Sequence, residues 1–115
     1  MAITIYHNPR CSKSRQTLSL LEEQGLKPLV VEYLKTPPNA QTLDAILQML
    51  GMEPRDVIRK GEAEYKAAGL ERQDLSRNEL IQAMIEYPKV IQRPIVVVDG
   101  KARIGRPPES VLEII

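Results

Sequence analysis

Along this 115-residue chain the spacing of apolar residues changes period twice, and that change restricts the folds open to it. Ile3-Thr4-Ile5-Tyr6 reads as a short strand, after which Ser14, Leu18 and Leu21, with Thr17 and Leu20 beside them, return at helical spacing until Gly25 offers a stop. Pro28 to Tyr33 reads as a second strand, which completes a βαβ unit. Such crossovers are right-handed and place ligands at the carboxyl ends of the strands. In the middle of the chain the period is helical. Asn39 is a cap for a helix with apolar face Leu43, Ile46, Leu47 and Leu50, closed by Gly51, and Pro54 suits the first turn of a further short helix. Gly61 and Gly69 break the next stretch, and Ser76-Arg77-Asn78-Glu79 has the capping-box pattern for a helix that turns Leu80 and Met84 inward, with Ile81 and Ile85 as further candidates for the inward face, and ends at Pro88. From Pro94 the period is that of strands again. Ile95-Val96-Val97-Val98 and Lys101-Ala102-Arg103-Ile104 flank Asp99-Gly100, the signature of a hairpin with a type I′ turn. Gly105-Arg106-Pro107-Pro108-Glu109 leads into a final helix that offers Val111, Leu112 and Ile115 to the core.

The order βαβ, helices, ββα predicts an α/β chain with a thioredoxin-like mixed four-stranded sheet. One domain over residues 1–115 is expected, with a helical insertion over about 38–88, because this length supports one continuous core without disulfides or a structural metal. A formal net charge of +1 gives no global basic field, and the absence of Trp and Phe argues against stacking platforms, so no nucleic-acid partner is expected. One cysteine cannot close an internal disulfide, and with the lone His7 it cannot form a standard structural zinc site. A reducing cytoplasm is therefore the expected location, with no tightly bound cofactor and a monomer as the default. Met1-Ala2-Ile3-Thr4-Ile5 lacks a charged leader region, and no run approaches bilayer length, so a soluble, unprocessed chain without a membrane partner is expected.

That single thiol, Cys11, sits in Tyr6-His7-Asn8-Pro9-Arg10-Cys11-Ser12-Lys13-Ser14-Arg15, between a strand and a helix. A thiol becomes a strong nucleophile when it ionises, and a helix N-terminus and nearby cations both lower its pKa. Arg10, Lys13 and Arg15 supply cations where a helix start ordinarily gathers acids, and no carboxylate occurs before Glu22. Glu22 and Glu23 then fall near the end of the helix, where cations would be favoured. Charges set against the macrodipole at both ends fit a helix start that receives an anion. Cys11 and Ser14 form C-x-x-S, so any mixed disulfide must be resolved by an outside thiol. A phosphatase loop would need arginine six residues after the cysteine, and Thr17 stands there. His7 either orients the loop and helps the thiol ionise or plays a backbone-bonded structural part. Arg93-Pro94 and Arg106-Pro107 bound the ββα unit, each arginine held in extended or turn geometry by the following proline. Arg59, near a helix end, would also serve dipole pairing alone.

Taken together, His7-Asn8-Pro9-Arg10-Cys11-Ser12-Lys13-Ser14-Arg15, Ile58-Arg59-Lys60, Arg93-Pro94-Ile95-Val96-Val97 and Gly105-Arg106-Pro107 resemble the glutaredoxin-coupled arsenate reductases of the thioredoxin-like class. The likeness runs over essentially the whole chain. It implies that Cys11 is the catalytic nucleophile supported by His7, that Arg59, Arg93 and Arg106 bind the oxyanion, and that the peptide before Pro94 is cis, with Ser14 structural near the site. It further implies arsenate as substrate, glutathione as reducing cosubstrate and glutaredoxin as partner. Familiar members carry a longer C-terminal tail than one ending at Ile115. Two alternatives of the same fold remain open: a glutathione-dependent thiol transferase, against which the three arginines argue, and a redox-responsive RNA polymerase-binding regulator, whose usual C-x-x-C switch Ser14 removes.

Overall fold

The structure is a computed structural model that describes residues 2–115. The chain forms two compact units, one built from the segment up to Thr36 together with Arg93–Ile115 and the other from Pro37–Gln92.

In the first unit, strand β1 (Ile3–His7) runs parallel to β2 (Leu29–Glu32) and antiparallel to β3 (Ile95–Val98), and β3 pairs antiparallel with β4 (Lys101–Ile104). The sheet order is β2-β1-β3-β4, the mixed four-stranded arrangement expected from the order of elements. Ile5 stands opposite Val30 on one side and Val96 on the other. Because successive side chains of a strand point to opposite faces, Ile3, Ile5 and His7 share one buried face. The first two join Leu21, Val96, Val98, Val111 and Ile114 in the core, with Leu18, Leu20 and Leu26 packed against it. Helix α1 (Ser12–Glu23) buries Ser14, Thr17 and Leu21.

The hairpin turn has positive φ at both central residues, 47° at Asp99 and 80° at Gly100, as a type I′ turn requires. The last element departs from expectation, for Pro108–Ile114 is a 3₁₀ helix that buries Val111 and Ile114. With three residues per turn, positions three apart face the same way, which leaves Leu112 and Ile115 outward and exposed. The second strand is also shorter than expected, since Pro28 precedes it and Tyr33 is buried in the turn that follows.

In the second unit, α2 (Ala40–Leu50) starts at Asn39, whose Oδ1 accepts the Thr42 amide at 2.8 Å, and stops at Gly51 in the left-handed region. Its buried face is Leu43, Ile46 and Leu47. The short α3 (Ala63–Ala67) precedes α4 (Arg77–Glu86), which opens on a reciprocal capping box between Ser76 and Glu79 and buries Leu80, Ile81 and Met84. An isolated antiparallel bridge joins Ile58 to Ile91. No helix among the described residues is long and apolar enough to cross a membrane.

Back in the first unit, Gly105 is a point of close approach. A Cβ built there would stand 2.5 Å from Thr17 Oγ1 and 2.8 Å from Pro94 Cγ, while the Gly105 amide donates to the Pro94 carbonyl at 2.9 Å. Gly105→Ala is therefore expected to destabilise the fold by about 1–3 kcal/mol through overpacking. Urea unfolding should show a lower midpoint with an unchanged slope.

Candidate active site

The site is built from the carboxyl end of β1. His7 closes the strand on its buried face, and its Nδ1 lies 2.6 Å from the hydroxyl of Ser14, a fully buried residue one turn into α1. The Asn8 amide also donates to that hydroxyl oxygen, at 3.0 Å. Asn8 in turn accepts the Arg10 amide on its side chain and the Cys11 amide on its carbonyl, both at 3.0 Å. Strand end, loop and helix start are thus tied by one serine and one asparagine.

This ties Cys11 at the N-cap of α1, in extended conformation, with no oxygen side chain in the capping role. Helices usually have the amides at their second and third positions capped by Ser, Thr, Asp or Asn. Those positions here are Lys13 and Ser14, and their amides favour the sulfur anion. Burial is the largest single influence on the thiol and pushes its pKa up. The Ser14 amide, the Arg93 guanidinium and the Lys13 amide together outweigh it, and the thiol ends below its ordinary value.

Arg93 and Arg106 both reach this sulfur, from the loops that precede β3 and follow β4. The peptides Arg93–Pro94 and Arg106–Pro107 are cis, the first as the family resemblance implies. Arg106 Nε donates to the Arg93 carbonyl at 2.8 Å, and its Nη2 lies 3.5 Å from Cys11 Sγ. Arg93 contributes both a side-chain hydrogen bond and its charge. Two guanidinium groups therefore converge on one partly buried sulfur, where they can hold a tetrahedral oxyanion in forked hydrogen bonds.

His7 is perturbed in the opposite sense. Burial lowers its pKa most, Glu32 beside it on β2 opposes that, and Arg15 adds to the lowering. A ring neutral at pH 7 accepts the Ser14 hydroxyl proton on Nδ1, an assignment made from hydrogen-bond balance. Its observed partner is thus a side chain of α1, not a backbone group.

The predicted residues fall in both units. Cys11, His7, Ser14, Arg93, Pro94 and Arg106 belong to the first, and Arg59 to the second. There the Arg59 guanidinium pairs with Glu62 at 3.0 Å, and its amide donates to the Val90 carbonyl at 2.7 Å. The cations beside the thiol in sequence have a smaller part than expected. Arg10, Lys13 and Arg15 are exposed, and Arg15 Nη1 donates to the Pro9 carbonyl at 2.9 Å. Sequence reading missed Asn8, whose tendency to close turns before proline was the available signal, and Glu62, for which three-residue spacing from Arg59 was the only one. No group of three or more His, Cys, Asp or Glu among the described residues is placed to hold a metal ion.

The sequence model of the ArsC family matches residues 6–114. The chain belongs to the ArsC family. Among its ArsC-family relatives it is 46% identical to the arsenate reductase of Haemophilus influenzae, with all of both chains covered. It is 57% identical to the uncharacterized protein YfgD of Escherichia coli, over 98% of this chain and 96% of that one. The solved arsenate reductase from Vibrio cholerae superposes with a TM-score of 0.96 at 52% identity, covering 100% of this chain and 98% of the other.

Arg93→Gln removes a donor and a positive charge from the thiolate, so the pKa of Cys11 should rise. The pH profile of iodoacetamide alkylation should move to higher pH, with the plateau rate retained. Ser14→Ala keeps the backbone amide but strips the partner from His7 Nδ1 and the Asn8 amide, and should cost about 1–3 kcal/mol of stability in chemical denaturation.

Proposed function

We propose that this ArsC-family chain is a thiol-dependent arsenate reductase in which Cys11 is the nucleophile and Arg93 and Arg106 hold the oxyanion. The observation that carries this reading is the approach of the Arg106 guanidinium to 3.5 Å from a sulfur whose ionisation Arg93 and two helix amides favour. His7 acts through Ser14 as a positioning residue. For Arg59 the family resemblance implies a part in oxyanion binding.

The chemistry follows from these groups. The Cys11 thiolate bonds to arsenic, and one oxygen leaves as water. Glutathione then bonds to arsenic with loss of a second oxygen as water. A glutaredoxin thiolate attacks the glutathione sulfur and the S–As bond breaks. Its electron pair passes to arsenic, which becomes As(III), while glutathione and glutaredoxin end as a mixed disulfide. Water releases arsenite and returns the Cys11 thiol. The chain has no other cysteine, so both electrons come from outside thiols. A supply of reduced glutathione places this work in the cytoplasm.

With glutathione, glutaredoxin, glutathione reductase and NADPH present, arsenate should drive NADPH consumption. Cys11→Ser should abolish it, and Arg93→Lys should lower kcat/KM at least tenfold, because a point charge does not reproduce a fork. No arsenate turnover alongside brisk reduction of a glutathione mixed disulfide would overturn the reading in favour of a thiol transferase.

A further inference from the structure

Three hydrogen bonds gather around Asn8, a buried residue to which the proposed chemistry gives no part. Its side-chain Oδ1 accepts the Arg10 amide, its carbonyl accepts the Cys11 amide, and its own amide donates to the Ser14 hydroxyl oxygen, each at 3.0 Å. Those partners are the residue before the nucleophile, the nucleophile itself and the helix residue whose amide serves the sulfur. Asn8 therefore fixes the loop at three points around one atom. The amides of Arg10 and Cys11 both turn back to it, and Cys11 enters α1 at φ −93° and ψ 123°. That extended geometry places an N-cap side chain over the second and third amides of a helix.

Turn chemistry alone does not explain why this residue is an amide. Asn and Asp close such a turn alike, since each presents an oxygen to the backbone amide two residues on. A carboxylate would also complement the positive end of α1, which favours acids. On stability alone Asp is the better choice, yet residues 1–21 contain no carboxylate. Charge is what separates the two side chains here. A carboxylate bonded to the Arg10 amide would stand beside the nucleophile and oppose both a sulfur anion and an arriving oxyanion.

We infer that Asn8 is a positioning residue for the nucleophile, which holds the Cys11 sulfur over the start of α1 and is required to do so without charge. It acts through the backbone of Arg10 and Cys11 and through Ser14. The inference deepens the function proposed above, and its first readout does not need arsenate to be the substrate.

Asn8→Asp should keep the native urea midpoint while moving the pH midpoint of Cys11 alkylation by iodoacetamide upward by about half a unit or more. Salt at roughly 1 M should remove most of that shift, because it screens the added charge. In the coupled assay, at a pH above both midpoints, the KM for arsenate should rise fivefold or more with kcat held within threefold. Asn8→Ala should also raise the alkylation midpoint, by loosening the turn, and this shift should persist in salt. Asn8→Ser, whose hydroxyl is a shorter neutral acceptor, should recover part of it. A merely structural asparagine would lower the urea midpoint in the Ala and Ser variants and leave the alkylation profile of all three in place.

An unmoved profile in Asn8→Asp overturns the inference. So does an Asn8→Asp protein that does not fold, since the turn then demands more than an oxygen. If Asn8→Ala does not fold, Asn8→Asp decides alone. A moved profile without arsenate turnover by the native protein supports the part given to Asn8 and overturns the reductase reading, whereas an unmoved profile with normal turnover does the reverse.

Discussion

Everything at the thiol depends on a helix that begins without an oxygen cap. The amides of Lys13 and Ser14 point outward at the positive end of α1, and the Cys11 sulfur is the group that benefits. An ordinary capping side chain would have satisfied those donors and added about 1 kcal/mol to the helix. The absence of acids from the first turn of α1 follows the same logic, for it leaves the positive end without an internal counterion.

That arrangement needs scaffolding because an open helix start with buried polar neighbours is costly unless each donor finds an acceptor. Ser14 meets this need. Its amide serves the sulfur while its hydroxyl serves His7 and Asn8, so one buried residue links the strand end, the loop and the anion site. Arg106 plays a comparable double part on the other side, bound through Nε to the Arg93 carbonyl while Nη2 faces the sulfur. A guanidinium anchored at one edge loses less freedom when its other edge takes a ligand.

Much of the fold was legible because its signals are local. The caps at Asn39 and Ser76, the stop at Gly51 and the Asp99-Gly100 turn all stand where turn and cap chemistry places them. The C-terminal element was misread because two windings fit the same few residues, and only packing selects the one that buries Val111 and Ile114. At the site, motif order pointed to Cys11, Arg93 and Arg106. It could not rank cations, since Arg10, Lys13 and Arg15 are adjacent in sequence yet exposed, while Arg106 arrives from 95 positions away. Long-range approach has no local signature, whereas a capping motif does.

Thr17 occupies the position where a phosphatase loop carries its arginine, and the surroundings explain why that chemistry lies out of reach. The residue is wholly buried, its hydroxyl donates to the Lys13 carbonyl at 2.8 Å, and it fills the space that Gly105 leaves by having no side chain. A guanidinium introduced there would meet the backbone of the β4 exit before it met any ligand. The helix is sealed against the hairpin at that level, so cations come to this sulfur from the loops flanking the hairpin, and exchange of one residue does not convert one kind of cysteine chemistry into the other.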